Sequence, residues 1–428
     1  MAARLVTALG VGCAAWMPAG AAEVDFRPTL MFGIFHDGNI AVTGDATANG
    51  DDVGAVSVEL VVDRTTPDDT LSFAYRPTYV AYRKNDGLNY FGQSVRMSYA
   101  HAPSRAATYA FDLDASRTER QGVRPTDPAD TTTFVPRSLQ THVTIRGHGR
   151  HEARRNIVDW ELRGTLDDFS QAHQATGTQP TVCTTDAECD DGNACTDDTC
   201  AAGLCAFAQN HSCDLQGSTG ARALTTWQYA VTENHSVGLG LVFETFWYEV
   251  LPTTYNESLG LVGESSFGRF TTMTYAAGVC DTTSSGVSDT NVVGNLHISR
   301  AFSEDSTLAA EVRRSASQGS GLGGVSIDQG GYLEYGYSPN RRGVTAAIIA
   351  AYWKREPPDQ AGTSGTPSTT TISTNATLGW NFNRFLSLNL NHLYSDQSSS
   401  SPTTLDTRYS SYGLHLSWAI RGREGTRR

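Results

Sequence analysis

Ser411-Tyr412-Gly413-Leu414-His415-Leu416-Ser417-Trp418 alternates strictly. Successive side chains of an extended strand point to opposite sides. Tyr412, Leu414, Leu416, Trp418 and Ile420 therefore share one face, and Ser411, Gly413, His415, Ser417 and Ala419 the other. One such strand is ordinary, but the same rhythm recurs along nearly the whole chain. Val56, Val58, Leu60 and Val62 are followed, after Thr66-Pro67-Asp68-Asp69, by Leu71, Phe73, Tyr75 and Tyr79. Leu239, Leu241 and Phe243 follow the turn Glu233-Asn234-His235, and Leu378 and Trp380 lead through Asn381-Phe382-Asn383 to Leu386, Leu388 and Leu390. Period-two alternation punctuated by Pro, Asp and Asn is what hairpin strands require.

The connections come in two kinds. Tight turns at 65–69, 101–105, 232–236, 303–306, 338–342 and 381–384 alternate with longer Gly/Ser/Thr/Asp-rich stretches near 41–52, 120–134, 169–220, 251–290, 356–369 and 397–406. Transmembrane barrels show that asymmetry, with short periplasmic turns and long outer loops. The expectation is an all-β, antiparallel transmembrane β-barrel of about sixteen strands, roughly fourteen to eighteen, an even number that places both termini in the periplasm. Segment 266–280 could add a hairpin. Val344 to Trp353 is apolar on both parities and also suits a short buried helix. Tyr79, Tyr82, Tyr90, Trp247, Tyr248, Tyr352, Trp353 and Tyr409 stand near strand ends, where a barrel carries its interfacial aromatic girdles.

A soluble β-sandwich explains the alternation but not the start of the chain. Arg4, the apolar run Leu5 to Ala15 and Ala19-Gly20-Ala21 read as a secretory signal peptide over 1–21. Cys13 raises a lipoprotein alternative, although Gly10 stands where a lipobox carries Leu. No run of roughly 18 apolar residues follows, so a helical membrane protein is excluded. A net charge of −13 argues against nucleic acid as a partner. The expected organisation is barrel strands over 22–171 and 221–420, an extracellular insertion over 172–220, and a basic periplasmic tail over 421–428.

Ser411, Gly413, Leu416 and Trp418 resemble the C-terminal assembly signal of outer-membrane barrels: a polar residue, glycine two positions on, then two alternating hydrophobics. That resemblance implies recognition by the barrel-assembly machinery, although ten further residues follow Trp418. The stretch Val24-Asp25-Phe26-Arg27-Pro28-Thr29-Leu30, running into His36-Asp37-Gly38-Asn39-Ile40, is similar to the opening of a β-barrel porin family of exopolysaccharide-rich Gram-negative bacteria. It implies an outer-membrane pore and names no solute.

Within the insertion, Cys183, Cys189, Cys195, Cys200, Cys205 and Cys213 crowd together in a segment too small for a hydrophobic core. In an exported chain these imply three disulfides of unspecified connectivity, with zinc as the competitor. The run from Cys189 to Cys200 is similar to short cysteine repeats of slime-mould and myxobacterial surface proteins, which implies an extracellular module. Asp190, Asp191, Asn193, Asp197 and Asp198 offer oxygens to Ca²⁺, against the simpler reading of a solvated acidic loop. Cys280 is left over, as a lone thiol in an outer loop or an intermolecular link.

If the apolar parity faces lipid, the other parity lines a lumen. Its charged residues include Glu59, Arg76, Arg96, Asp112, Asp114, Asp159, Glu161, Arg163, Glu244, Glu311, Arg313, Asp328 and Glu334. Acidic positions outnumber basic ones there, which implies weak cation preference; the competing reading is that acids and bases merely knit the wall. Catalytic signals are weak. No G-x-S-x-G elbow occurs, and His142, His148 and His151, beside a basic stretch Arg146–Arg155 read as a turn, lack metalloprotease spacing. The expected function is passive diffusion of small hydrophilic solutes across an outer membrane, without enzymatic activity, and no cofactor beyond Ca²⁺ is implied. Surface display of the Cys-rich loop, or an accessory role in exopolysaccharide export, are the alternatives.

Overall fold

The structure, a computed structural model, describes residues 23–38, 50–120, 138–170, 196–201, 204–209, 217–248, 252–284, 286–318, 325–339, 343–356, 368–383, 385–400 and 407–420. Its strands are β1 (Glu23–Asp37), β2 (Asp51–Thr65), β3 (Asp69–Tyr82), β4 (Tyr90–Ser104), β5 (Ala107–Arg120), β6 (Ser138–Ala153) and β7 (Asn156–Ser170). A short hairpin, β8 (Thr196–Ala201) and β9 (Leu204–Gln209), forms a sheet of its own. There follow β10 (Ser218–Thr232), β11 (His235–Tyr248), β12 (Thr254–Phe267), β13 (Thr271–Ser284), β14 (Val287–Ser303), β15 (Ser306–Gln318) and β16 (Val325–Tyr337). The last four are β17 (Val344–Glu356), β18 (Thr369–Asn381), β19 (Leu386–Ser399) and β20 (Thr407–Ala419).

Each large-sheet strand pairs antiparallel with the next. β7 passes over the small hairpin to pair with β10, and β20 pairs with β1. The result is a closed barrel of 18 strands. This corrects the expectation of about sixteen. The stretch read as one long loop near 251–290 is the hairpin β12–β13 with the start of β14. Val344 to Trp353 is strand β17 and not a helix. Arg146 to Ala153 belongs to β6, so the turn there is only Arg154 and Arg155. Cys280 lies buried within β13 rather than in an outer loop.

Local chemistry closes the hairpins. In the β2–β3 turn, Thr66 N–H donates to the Asp69 carbonyl at 2.8 Å, and Asp69 N–H donates to Thr66 Oγ1 at 3.0 Å. The β12–β13 turn uses Gly268 at φ 68°, a left-handed conformation that costs glycine little. Because β1 and β20 are antiparallel neighbours, the two ends of the barrel chain lie at the same rim, where Ile420 N–H bonds the Pro28 carbonyl at 3.0 Å.

Most of the large apolar side chains of the barrel strands share one parity, and it is the exposed one. Phe32, Ile34, Val58, Phe111, Leu162, Leu241, Leu261, Val292, Val312, Ile348, Leu390 and Leu414 all stand on it, Val292 at 70% exposure. Outward aromatics gather toward both rims, among them Phe91, Trp247, Tyr255 and Tyr412 at one and Phe267, Tyr337, Trp380 and Trp418 at the other. Tyr79, Trp247 and Tyr352 belong to this outer face. Tyr82, Tyr90, Tyr248, Trp353 and Tyr409 do not, and the girdle expected from the sequence is corrected there. Tyr82, Trp353 and Tyr409 are buried on the opposite face.

Candidate functional site

The face opposite the apolar belt is the inner wall, and its rows follow from register. Arg163 on β7 stands directly between Arg146 on β6 and Arg222 on β10. The row continues through Asp112 on one side and Glu244, Asn256 and Thr282 on the other. The flanking arginines are held by carboxylates. Arg146 bonds Glu161 through Nη2 at 2.7 Å and Nε at 2.8 Å, and Arg222 Nε lies 3.2 Å from Glu244. Arg163 is exposed, and no carboxylate among the described residues pairs with it. The centre of the row is therefore a guanidinium facing solvent.

Glu59, Arg76, Arg96, Asp112, Asp114, Asp159, Glu161, Arg163, Glu244, Glu311, Arg313, Asp328 and Glu334 all share this face. Several meet. Arg96 Nε donates to Asp114 at 3.1 Å, and Arg313 lies 3.9 Å from Glu311, while Glu59 and Arg76 lie on the neighbouring strands β2 and β3. Asp159 faces Arg150 at 3.7 Å and accepts from Thr226 at 3.4 Å. Glu334 sits across from Ala309 and Ile349, with no charged register partner. Most of these pairs are half exposed, so each contributes about 0.2–1 kcal/mol at most.

Asp328 differs. Its carboxylate is fully buried and takes Arg355 Nε at 2.9 Å and Nη2 at 3.0 Å, a bidentate pair, with Ser326 Oγ adding a bond at 3.2 Å. Arg146, Arg150, Arg222 and Arg355 were not among the residues expected at the wall. Their inward parity was available in the sequence for β6, but Arg222 and Arg355 sit where strand ends blur into loops. A histidine also joins the wall. His142 Nδ1 lies 2.7 Å from Asp167 and its Nε2 2.8 Å from Thr144 Oγ1, while Gln140 donates to Asp167 at 2.6 Å.

At the rim opposite the chain ends the wall turns apolar. Phe35, Val53, Val80 and Tyr82 form a buried cluster, against which Ala55, Tyr90 and Leu88 of the β3–β4 connection pack. Leu88 ends a short 3-10 turn, Asp86–Leu88, so this connection leans over the wall. Asp51 pins it. The buried carboxylate accepts bonds from Lys84 N–H, Asn85 N–H and Asn85 Nδ2, each at 3.0 Å.

Cys200 and Cys205 face each other in the β8–β9 register. Cys183, Cys189, Cys195 and Cys213 lie outside the described residues, as do Asp190, Asp191 and Asn193, while Asp197 and Asp198 lie on β8. No disulfide is found among the described residues, and no group of three metal-ligating side chains occurs among them. Cys280 is a free, buried thiol whose Sγ lies 3.8 Å from Thr282 Oγ1. Gly413, of the terminal motif, packs where a Cβ would meet Asn391 Oδ1 at 2.8 Å and Phe35 Cβ at 2.9 Å. A side chain there would force apart the strands that close the ring.

The fold thus defines a large closed antiparallel barrel with an exposed apolar belt and a charged inner wall. No family model matches the chain, and no curated protein matches its sequence. Among solved structures it is similar to Pseudomonas aeruginosa OpdQ, at 10% identity and TM-score 0.44, covering 93% of this chain and 97% of that one. It is also similar to the outer membrane protein OpdK of the same organism, at 11% identity and TM-score 0.42, covering 92% and 98%. A third, Pseudomonas aeruginosa OccK2 (OpdF), is 12% identical with TM-score 0.45, covering 93% and 99%.

Proposed function

We propose that this protein is an outer-membrane pore for passive diffusion of small hydrophilic solutes. The observation that carries this reading is the segregation of side chains by the closed ring. Large apolar residues from every sector stand exposed on one face, while ion pairs and polar groups collect on the other. Water-soluble proteins rarely expose contiguous apolar area on that scale. Lipid as the outer solvent removes the conflict, and 18 strands enclose a lumen wide enough for water.

On this reading the charged wall residues face the permeating solute, and the chain's acidic surplus gives the lumen a weak cation preference. The two chain ends share the periplasmic rim, and the Cys-rich insertion is extracellular, its cysteines oxidised. The terminal motif Ser411, Gly413, Leu416 and Trp418 presents the closing strand to the barrel-assembly machinery. Single-channel recording of the detergent-folded full-length protein tests the proposal. Stepwise conductance supports it; a protein that inserts yet never conducts refutes it.

A second reading has one observation in its favour: β8 and β9 form a sheet separate from the barrel. In that reading the barrel anchors a displayed module. Removing residues 172–216, which leaves β10 whole, separates the two. Conductance persists if the pore is the function, and binding of the protein to cell surfaces is lost if display is.

A further inference from the structure

On the outer face, β13 to β17 line an open groove of about 670 Å³. Gly294 lines its floor, where a Cβ would meet the Ala276 carbonyl oxygen at 3.0 Å. Val312 and Tyr352, both exposed, form apolar walls. Its head is polar. In register, Gly294 stands beside Arg314, Arg314 beside Gln329, and Gln329 beside Lys354, all on the outward parity. Arg314 Nη1 donates to Gln329 Oε1 at 3.4 Å, and Lys354 is ion-paired with Glu356. No carboxylate among the described residues pairs with Arg314, which is exposed. The row lies near the rim away from the chain ends, since β15 ends at Gln318 and β17 at Glu356.

We propose that this groove is a binding site for a membrane lipid whose headgroup carries a phosphate monoester. An arginine at the lipid midplane is strongly disfavoured, so an outward Arg314 belongs at headgroup depth. A guanidinium fork and an ammonium on one row can share the oxygens of one phosphate, with the Gln329 amide as a further donor. Below them the groove is apolar and open, shaped for an acyl chain along Val312 and Tyr352. Inorganic phosphate would leave that volume unfilled. The site rests on the convex face lying in lipid, but it is independent of whether the lumen conducts.

Native mass spectrometry of the full-length, detergent-folded protein tests it, with dioctanoyl phosphatidic acid as probe and dioctanoyl phosphatidylcholine and inorganic phosphate as comparators. Wild type should retain phosphatidic acid in preference to both. The double variant Arg314→Gln/Lys354→Gln should weaken retention on the order of tenfold. Val312→Trp, which fills the groove and keeps both cations, should do the same. Equal retention of phosphatidylcholine, equal retention of free phosphate, or a Val312→Trp variant that binds like wild type overturns the site. If the double variant does not fold, Val312→Trp decides alone. Conductance recorded in parallel keeps failure of the pore distinct from failure of the groove.

Discussion

Arg355 grips both carboxylate oxygens of Asp328 from the neighbouring strand, at 2.9 and 3.0 Å, and the carboxylate is shut off from solvent. A buried charge that loses its partner keeps the desolvation cost without the compensation, typically about 3–5 kcal/mol. Asp328→Ala should destabilise the barrel by about that amount, because it strands a guanidinium only 14% exposed. Replacing both residues together by Asn and Gln should cost less than the single change. Denaturant unfolding in micelles measures both; a double change at least as costly as Asp328→Ala would show that stranding the guanidinium carries no penalty of its own.

Arg163 is the exposed centre of a row, with no carboxylate partner among the described residues, and its neighbours are each neutralised. On the pore reading it contributes most of the local positive field there. Arg163→Glu should raise the cation-to-anion permeability ratio, whereas Arg146→Gln should raise it less, since it removes one positive charge where Arg163→Glu replaces one by a negative charge. Reversal potentials in a planar bilayer under a salt gradient give the ratio. An unchanged ratio in Arg163→Glu would place this row outside the conduction path.

Much of this architecture was legible in the alternation, and the exceptions have physical causes. β12 was hidden because its outward row contains Glu257 while its inward row mixes Asn256, Ser258 and Gly260, so neither parity reads as a clean apolar face. β17 looked helical because the inner wall there is itself apolar, with Ala347, Ile349, Ala351 and Trp353 facing inward. Alternation records a contrast between two solvents, and it fades wherever the inner face stops being polar. The inward parity of each charged residue could be read, but its partner could not. Arg163 meets Arg222 only because β7 skips the insertion to pair with β10, and nothing local encodes that register. Aromatic residues misled for a related reason: nearness to a strand end does not say which face an aromatic takes, and Tyr82 and Tyr409 turned inward.

Asp51 holds the β3–β4 connection through three bonds to Lys84 and Asn85. Its loss should free that connection without opening the ring, because the β2–β3 ladder itself is unaffected. Asp51→Ala should speed hydrogen exchange at the Lys84 and Asn85 amides by at least tenfold, about 1.4 kcal/mol of local opening, while amides of β13 and β14 stay protected. Since Leu88 packs on the inner cluster, the variant should also show noisier conductance than wild type. Unchanged exchange at Asn85 would mean that Leu88 packing alone secures the segment.

Phe32 lies between Val56 on β2 and Leu416 on β20, at the seam where the first and last strands close the barrel, and it is exposed. In water its replacement by arginine would be nearly neutral or favourable, as a surface substitution usually is. In lipid the same change puts a charge in the apolar belt and should cost about 2–4 kcal/mol. Phe32→Arg should therefore fold less completely into phospholipid vesicles than wild type, with the deficit growing as the bilayer thickens, because a thin bilayer lets the side chain reach the headgroups. His415, beside Gly33 on the inner face of the same seam, supplies the control: His415→Arg should fold normally. Equal folding of Phe32→Arg and His415→Arg would contradict the assignment of the two faces, since a two-sided barrel in a membrane must penalise one parity and tolerate the other.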